Sequence, residues 1–143
     1  MKRFVVGIDG SDTSIKALRW AVEQARLEGA RVEAVHSWHI PYAASGIGGM
    51  PFDVQMLADG ARATLDESIA QVDTSGLVEP ITATLVEGAA APALLEAAQG
   101  ADLVVVGSRG HGGFVGLLLG SVSQQVASHA ACPVVIVPPD AEV

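Results

Sequence analysis

Residues 102–121, Asp102-Leu-Val-Val-Val-Gly107-Ser-Arg-Gly-His-Gly-Gly-Phe-Val-Gly-Leu-Leu-Leu-Gly-Ser121, carry the reading of this chain. Leu103–Gly107 is short, apolar and β-branched, as expected of a buried strand. Glycine then recurs at Gly110, Gly112, Gly113, Gly116 and Gly120, and Ser121 opens a helix-like stretch. Glycine lets backbone N–H groups approach an anion closely, and a helix N-terminus adds unpaired donors and partial positive charge. A glycine-rich loop between strand and helix is therefore an anion cradle by construction. A mobile surface loop without a ligand is the competing reading. The strand before and the helix after favour the cradle.

Outward from this loop the pattern alternates. Phe4–Asp9, Val32–Trp38, Ile81–Glu87, Leu103–Gly107 and Val134–Val137 read as strands. Ile15, Leu18, Val22 and Ala25 fall on one helix face, and Leu57, Ala61, Leu65 and Ile69 repeat every four residues. Leu94, Leu95 and Ala98 mark a shorter helix entered at Pro92, and Val122 and Val126 mark the last. Ser11 or Asp12 caps the first helix and Gly29 stops it. Strand and helix alternate throughout, which predicts a mostly parallel open sheet with helices on both faces, an α/β fold. No repeat or linker divides the 143 residues, so a single domain spanning 1–143 is expected. One segment, His39–Phe52, breaks the rhythm with Pro41, Gly46, Gly48, Gly49 and Pro51; it is long for a connection, so either a mobile surface loop or a lid is expected.

The spacing Gly107-x2-Gly110-x9-Gly120-Ser121 resembles the nucleotide-binding signature of the universal stress protein family. The start, Val5-Val-Gly-Ile-Asp9-Gly-Ser11, and the end, Ala131-Cys-Pro-Val-Val-Ile-Val137, resemble that family's first and last strands. The resemblance thus covers essentially the whole chain and rests on separate motifs. It implies a Rossmann-like sheet in the order 3-2-1-4-5. It also implies ATP, with Mg²⁺, held by the glycine loop and by the aspartate after strand one. The implied binding set is Gly7, Ile8 and Asp9 from strand one and Ser37 at the end of strand two. Val106, Gly107, Arg109, Gly110, Gly120, Ser121, Val122 and Ser123 complete it from the glycine loop and its flanks. Some members lack the loop and bind no ATP; this chain keeps every position of the spacing. A separate argument gives part of that order. Ligands of open parallel sheets bind where the strand order reverses. Asp9 and Gly107 touch one ligand only if strands one and four are neighbours.

Composition narrows the partners. Lys and Arg number 8 against 16 Asp and Glu, a net charge of −8. Nucleic acid and anionic membranes select basic patches, so both are disfavoured. A polyanionic nucleotide must then be held by local N–H groups and few cations. Half the residues are apolar but only six are aromatic (three Phe, two Trp and one Tyr), so Ala, Val and Leu do the packing. Cys132 is single, which rules out an internal disulfide; a small buried hydrophobe is the expected role. MKRFVVGIDG has a basic start but Gly7 and Asp9 interrupt any signal core, and Phe114–Leu119 is far too short to span a membrane. A cytoplasmic protein is expected.

Asp9 has two readings: a carboxylate for a ribose hydroxyl or Mg²⁺, or a turn aspartate that caps the next helix. Ser121 and Ser123 present hydroxyls and N–H groups to phosphate, or cap their helix, or both. Arg109 and His111 are the loop's cationic candidates. No lysine follows the glycines, so this is no Walker loop, and G-x-G-x-x-G fails because Val115 holds the last position. Ser108 follows Gly107 directly, which breaks G-x-S-x-G. His36, Asp9 and Ser11 make a weak catalytic set, and His36 and His39 point to opposite faces of a strand. The expectation is therefore an ATP-binding regulator of stress responses. A slow ATPase or phosphotransferase using the same pocket is one alternative. A ligand-free dimeric interaction module is another. A homodimer through Val134–Val137 is expected, because an apolar edge strand followed only by Pro138–Val143 invites pairing.

Overall fold

The computed structural model describes residues 1–41, 53–110 and 119–143. β1 (Arg3–Ile8), α1 (Asp12–Glu28), β2 (Arg31–Trp38), α2 (Val54–Ala70) and β3 (Thr82–Glu87) come first. α3 (Ala90–Ala97), β4 (Leu103–Gly107), α4 (Ser121–His129) and β5 (Val134–Val137) follow. The five strands form one parallel sheet in the order β3-β2-β1-β4-β5, as expected.

Local chemistry explains the helix bounds. Ser11 caps α1 by accepting from the Ser14 N–H at 3.2 Å, and Gly29 ends it at φ +66°, a left-handed conformation that glycine adopts freely. Asp12 in the first turn and Arg26 in the last both complement the helix dipole. Ile15, Leu18, Val22 and Ala25 are all buried, so the helical face read from the sequence is the packed one. Asp53 caps α2 through the Met56 N–H at 3.2 Å. α3 begins at Ala90, two residues before the expected entry at Pro92. Proline is tolerated in a first turn because the N–H it lacks has no partner there.

Strand bounds shift by a residue for equally local reasons. β1 starts at Arg3, whose N–H donates to Asp102 Oδ2 at 2.9 Å, and ends before Asp9, which leaves the ladder for a turn. β2 starts at Arg31, paired with Arg3. Ile81 lies outside β3 but packs against the core. The proposed loop or lid, His39–Phe52, falls largely outside the described residues.

Alternation along the strands sorts the core into two layers. Phe4, Val6, Ile8, Val32, Ala34 and Val105 face α1 and α2; Val5, Val35, Val104 and Val106 face α3 and α4. The chain builds outward from β1 through β2 to β3, then crosses to β4 on the other side of β1. Right-handed crossovers require that reversal to put the next helices on the opposite face. The switch between β1 and β4 therefore opens a crevice at their C-terminal ends.

The opposite end of the sheet is tied shut. Arg3 pairs with Glu33 at 2.6 Å and donates to the Ala97 and Gln99 carbonyls at 3.0 Å, capping the C-terminus of α3. Glu33 also accepts from Thr84 at 2.7 Å.

β5 lies at the sheet edge, but its apolarity has a simpler cause than an interface. Val135 packs on the α1 side with Ala141 and Val143 of the tail, while Val134 and Ile136 pack on the α4 side. Lys16 holds the tail through the Pro139 carbonyl. The tail thus covers part of one face, against the expectation that it shields little. The outer backbone edge of β5 has no further strand beside it among the described residues.

Candidate functional site

A cavity of about 460 Å³ occupies the crevice where β1 and β4 separate. That size suits a small-molecule ligand. Its lining has two characters. Ile8, Val35, Val106, Ala90, Ala93 and Leu94 make an apolar side between β2 and α3. Asp9, Ser14, Arg109, Gly110 and the start of α4 make a polar side. Such a division fits a ligand with a flat apolar body and an anionic end.

The polar side is built by backbone chemistry. The Asp9 Oδ1 atom accepts from the Ser11 N–H at 2.9 Å and from the Ser11 hydroxyl at 2.5 Å. Its carboxylate thereby closes a turn just before α1, so the turn role holds, while the helix cap is Ser11 and not Asp9. The second oxygen, Oδ2, stands directly against Gly110: a side-chain carbon there would collide with it. Gly110 is therefore required by close approach. Its φ is not positive, nor is that of Gly107 or Gly120. Gly107 is constrained in the same way, since a Cβ would lie 2.7 Å from Thr13 of α1. Gly7 is hemmed in by Leu94 and Val106, and its missing side chain leaves room in the cavity floor.

The ends of the glycine loop are pinned together at Ser108. Its carbonyl accepts from the Gly120 N–H at 2.6 Å and from the Ser123 hydroxyl at 2.9 Å, and its own N–H donates to the Val137 carbonyl at 2.9 Å. Gly120 is the N-cap of α4 and has no side chain to satisfy the helix. The N–H groups of Ser121, Val122 and Ser123 begin that helix beside the cavity, where intrahelical partners are lacking. Neither serine caps the helix. Ser123 is buried and spends its hydroxyl proton on backbone carbonyls, so what it offers the cavity is its N–H. Ser121 is exposed.

All twelve residues expected at the site line this one cavity: Gly7, Ile8, Asp9, Ser37, Val106, Gly107, Arg109, Gly110, Gly120, Ser121, Val122 and Ser123. His111 and the glycines at 112, 113 and 116 lie outside the described residues. Sequence reasoning missed Ser14, Val35, Ala90, Ala93 and Leu94. Ser14 is buried, with its hydroxyl on the Ser11 carbonyl at 2.9 Å. Only its spacing from the Ser11 cap marked it. The α3 residues carry no polar signal at all.

Other candidates dissolve. His36 donates from Nδ1 to the Ile8 carbonyl at 2.7 Å, a backbone partner that leaves no triad with Asp9 and Ser11. Among the described residues, no three His, Cys, Asp or Glu side chains gather as metal ligands. Mg²⁺ fits differently: it needs one carboxylate plus phosphate oxygens and water, and Asp9 Oδ2 meets the first condition. Cys132 is half-buried, and burial pushes its thiol up, away from the reactive thiolate. No described helix is long and apolar enough to cross a membrane.

The model of the universal stress protein family matches residues 1–138. This chain belongs to that family. Among its curated universal stress protein relatives is Rv1996 of Mycobacterium tuberculosis, 37% identical over 134 residues. That match covers 92% of this chain but 42% of the relative, so the chain spans less than half the length of the curated relatives it matches. Among solved structures, a universal stress protein in complex with cAMP is 28% identical with a TM-score of 0.73, covering 95% of this chain and 96% of its own. The universal stress protein of Archaeoglobus fulgidus in complex with dAMP is 25% identical with a TM-score of 0.68, covering 96% and 98%. Both family neighbours hold an adenine nucleotide.

Proposed function

We propose that this protein binds an adenine nucleotide, ATP with Mg²⁺ among them, in the cavity between β1 and β4 and serves as a stress-linked regulator. One observation carries the reading: an apolar slot and a glycine-lined helix N-terminus share a single cavity. The slot takes the base. The Ser121, Val122 and Ser123 N–H groups and Arg109 face the phosphate. Gly107, Gly110 and Gly120 keep the backbone close. The nucleotides held by the cAMP- and dAMP-bound relatives support the same chemistry.

Mg-ATP is expected to stabilise the fold. Ligand at a hundred times its dissociation constant adds about 2.7 kcal/mol, which raises the melting temperature by several degrees. Scanning calorimetry with and without millimolar Mg-ATP reads this directly. An unchanged transition in protein shown by mass spectrometry to carry no bound nucleotide would refute it.

The protein acts as a cytoplasmic homodimer in this reading, joined along the open backbone edge of β5. Light scattering should give twice 14.6 kDa at micromolar concentration. Amide hydrogens of Val134–Val137 should then exchange faster on dilution. A monomer mass refutes the dimer, and a dimer without that β5 signature moves the interface elsewhere. Lysine at 135 or 136 is a poor probe, because both side chains pack into the core.

A further inference from the structure

We propose that Arg3, at the end of the sheet opposite the cavity, is a positioning residue for the base. By gripping the C-terminal end of α3 it sets how closely that helix closes over the apolar slot. The proposal rests on the nucleotide reading above and adds to it a residue that touches no ligand.

α3 walls the slot through Ala90, Ala93 and Leu94, yet its own sequence does little to hold it in place. Ala89 at the N-cap makes no side-chain hydrogen bond to the first turn. No acidic residue stands in that turn and no basic residue in the last. The cavity end of α3 therefore lacks both a side-chain cap and a charge that favours its dipole. The other end is gripped from β1. Arg3 donates to the carbonyl of Ala97, the last residue of α3, and to that of Gln99 just past it, both at 3.0 Å. The same guanidinium pairs with Glu33 of β2 at 2.6 Å, and Glu33 accepts from Thr84 of β3 at 2.7 Å. Arg3 and Glu33 are each only 20% exposed, so water competes little for these bonds.

β1 meets α3 a second time at Gly7, where a Cβ would stand 2.9 Å from Leu94 Cδ1. The missing side chain lets α3 lie close to the sheet. One strand thus fixes the helix at two points, Arg3 at the far end and Gly7 in the cavity floor. α3 has eight residues and is about 12 Å long, so a small rotation about a loosened far end displaces Ala90 and Ala93 against the base. With Arg3 removed, the closed position becomes one of several. Affinity then falls by the fraction of the time that position is occupied.

Titration calorimetry with adenosine and with Mg-ATP tests this on the full chain, with melting curves to show that each variant is folded at the temperature used. Arg3→Met keeps an unbranched stem and removes the fork, and it should weaken both ligands by the same factor, about fivefold. Arg3→Lys keeps the charge but cannot span Glu33 and two carbonyls at once, so its loss should be smaller. Glu33→Gln loosens the guanidinium and should weaken both ligands about twofold. Arg3→Met and Glu33→Gln change the net charge in opposite directions, which separates positioning from long-range electrostatics. A field effect would weaken ATP in the first, strengthen it in the second and leave neutral adenosine unchanged. Wild-type adenosine affinity in Arg3→Met overturns the clamp while leaving the nucleotide site standing, and so does a loss confined to ATP. If Arg3→Met does not fold, wild-type adenosine affinity in both Arg3→Lys and Glu33→Gln overturns it equally. Failure of the wild type to bind either ligand overturns the nucleotide reading itself.

Discussion

Gly110→Val should lower adenine-nucleotide affinity about a hundredfold, equivalent to roughly 2.7 kcal/mol, while moving the melting temperature by little. The cause is the contact between Gly110 and Asp9. A Cβ at 110 meets Asp9 Oδ2 well inside van der Waals contact, so one of the two must move. Asp9 is exposed and its carboxylate is the end of a flexible side chain, so the shift costs the fold little. It breaks the two hydrogen bonds from Ser11 and drives the carboxylate and the added isopropyl group into the phosphate side of the cavity. Gly120→Val is milder, since a Cβ there meets its nearest neighbours, Arg109 and Ser108, at 3.6 Å, an ordinary packing distance. The two variants should therefore rank, with Gly110 the more damaging. Calorimetry of both, beside their melting curves, separates lost binding from lost folding. Wild-type affinity in Gly110→Val would remove the contact from the account.

Phe4→Ala should destabilise the protein by about 3–5 kcal/mol. Phe4 is 2% exposed on β1, the middle strand, where it packs in the layer shared with Leu18, Val22 and Val32 of α1 and β2. Its neighbours Leu18, Val22 and Val32 are themselves fully buried on regular elements, so they are held in place and can fill the space only in part. Small alanines at 17, 21, 25, 30 and 34 line the same core and reach no further. For a chain of this length the loss lowers the melting temperature by roughly 10 °C or more. Urea denaturation gives the free energy directly, and a cost under 1 kcal/mol would show that the layer relaxes around the cavity.

Much of this architecture was legible in the residues, for identifiable reasons. Strands β1 to β5 are short apolar runs because a parallel sheet is buried on both faces. The Ser11 cap and the Gly29 stop act within a turn of their own positions, so each is a local signal. The glycine spacing located the loop and the helix start beside it, because those positions sit at a strand end and a helix start, which sequence pattern locates within a residue. The resemblance to the universal stress proteins supplied the order of the strands and most of the site's membership.

Other features depend on distance in space. Alternation cannot say which helix covers which face, so Ala90, Ala93 and Leu94 gave no sign that α3 walls the cavity. Gly110 reads in the sequence as a place where backbone approaches an anion, yet the close approach that the fold imposes there is to Asp9, about a hundred positions away, at an ordinary φ. Val134–Val137 reads as an apolar edge open to pairing, yet its side chains pack towards α1, the tail and α4, so what it offers a partner is its outer backbone edge. The sequence by itself determined the elements, their caps and the cradle, since these are set by interactions within a few residues. The tertiary structure alone decided which side chains meet, because β1 and β4 become neighbours only when the chain reverses across the sheet and brings Asp9 against Gly110.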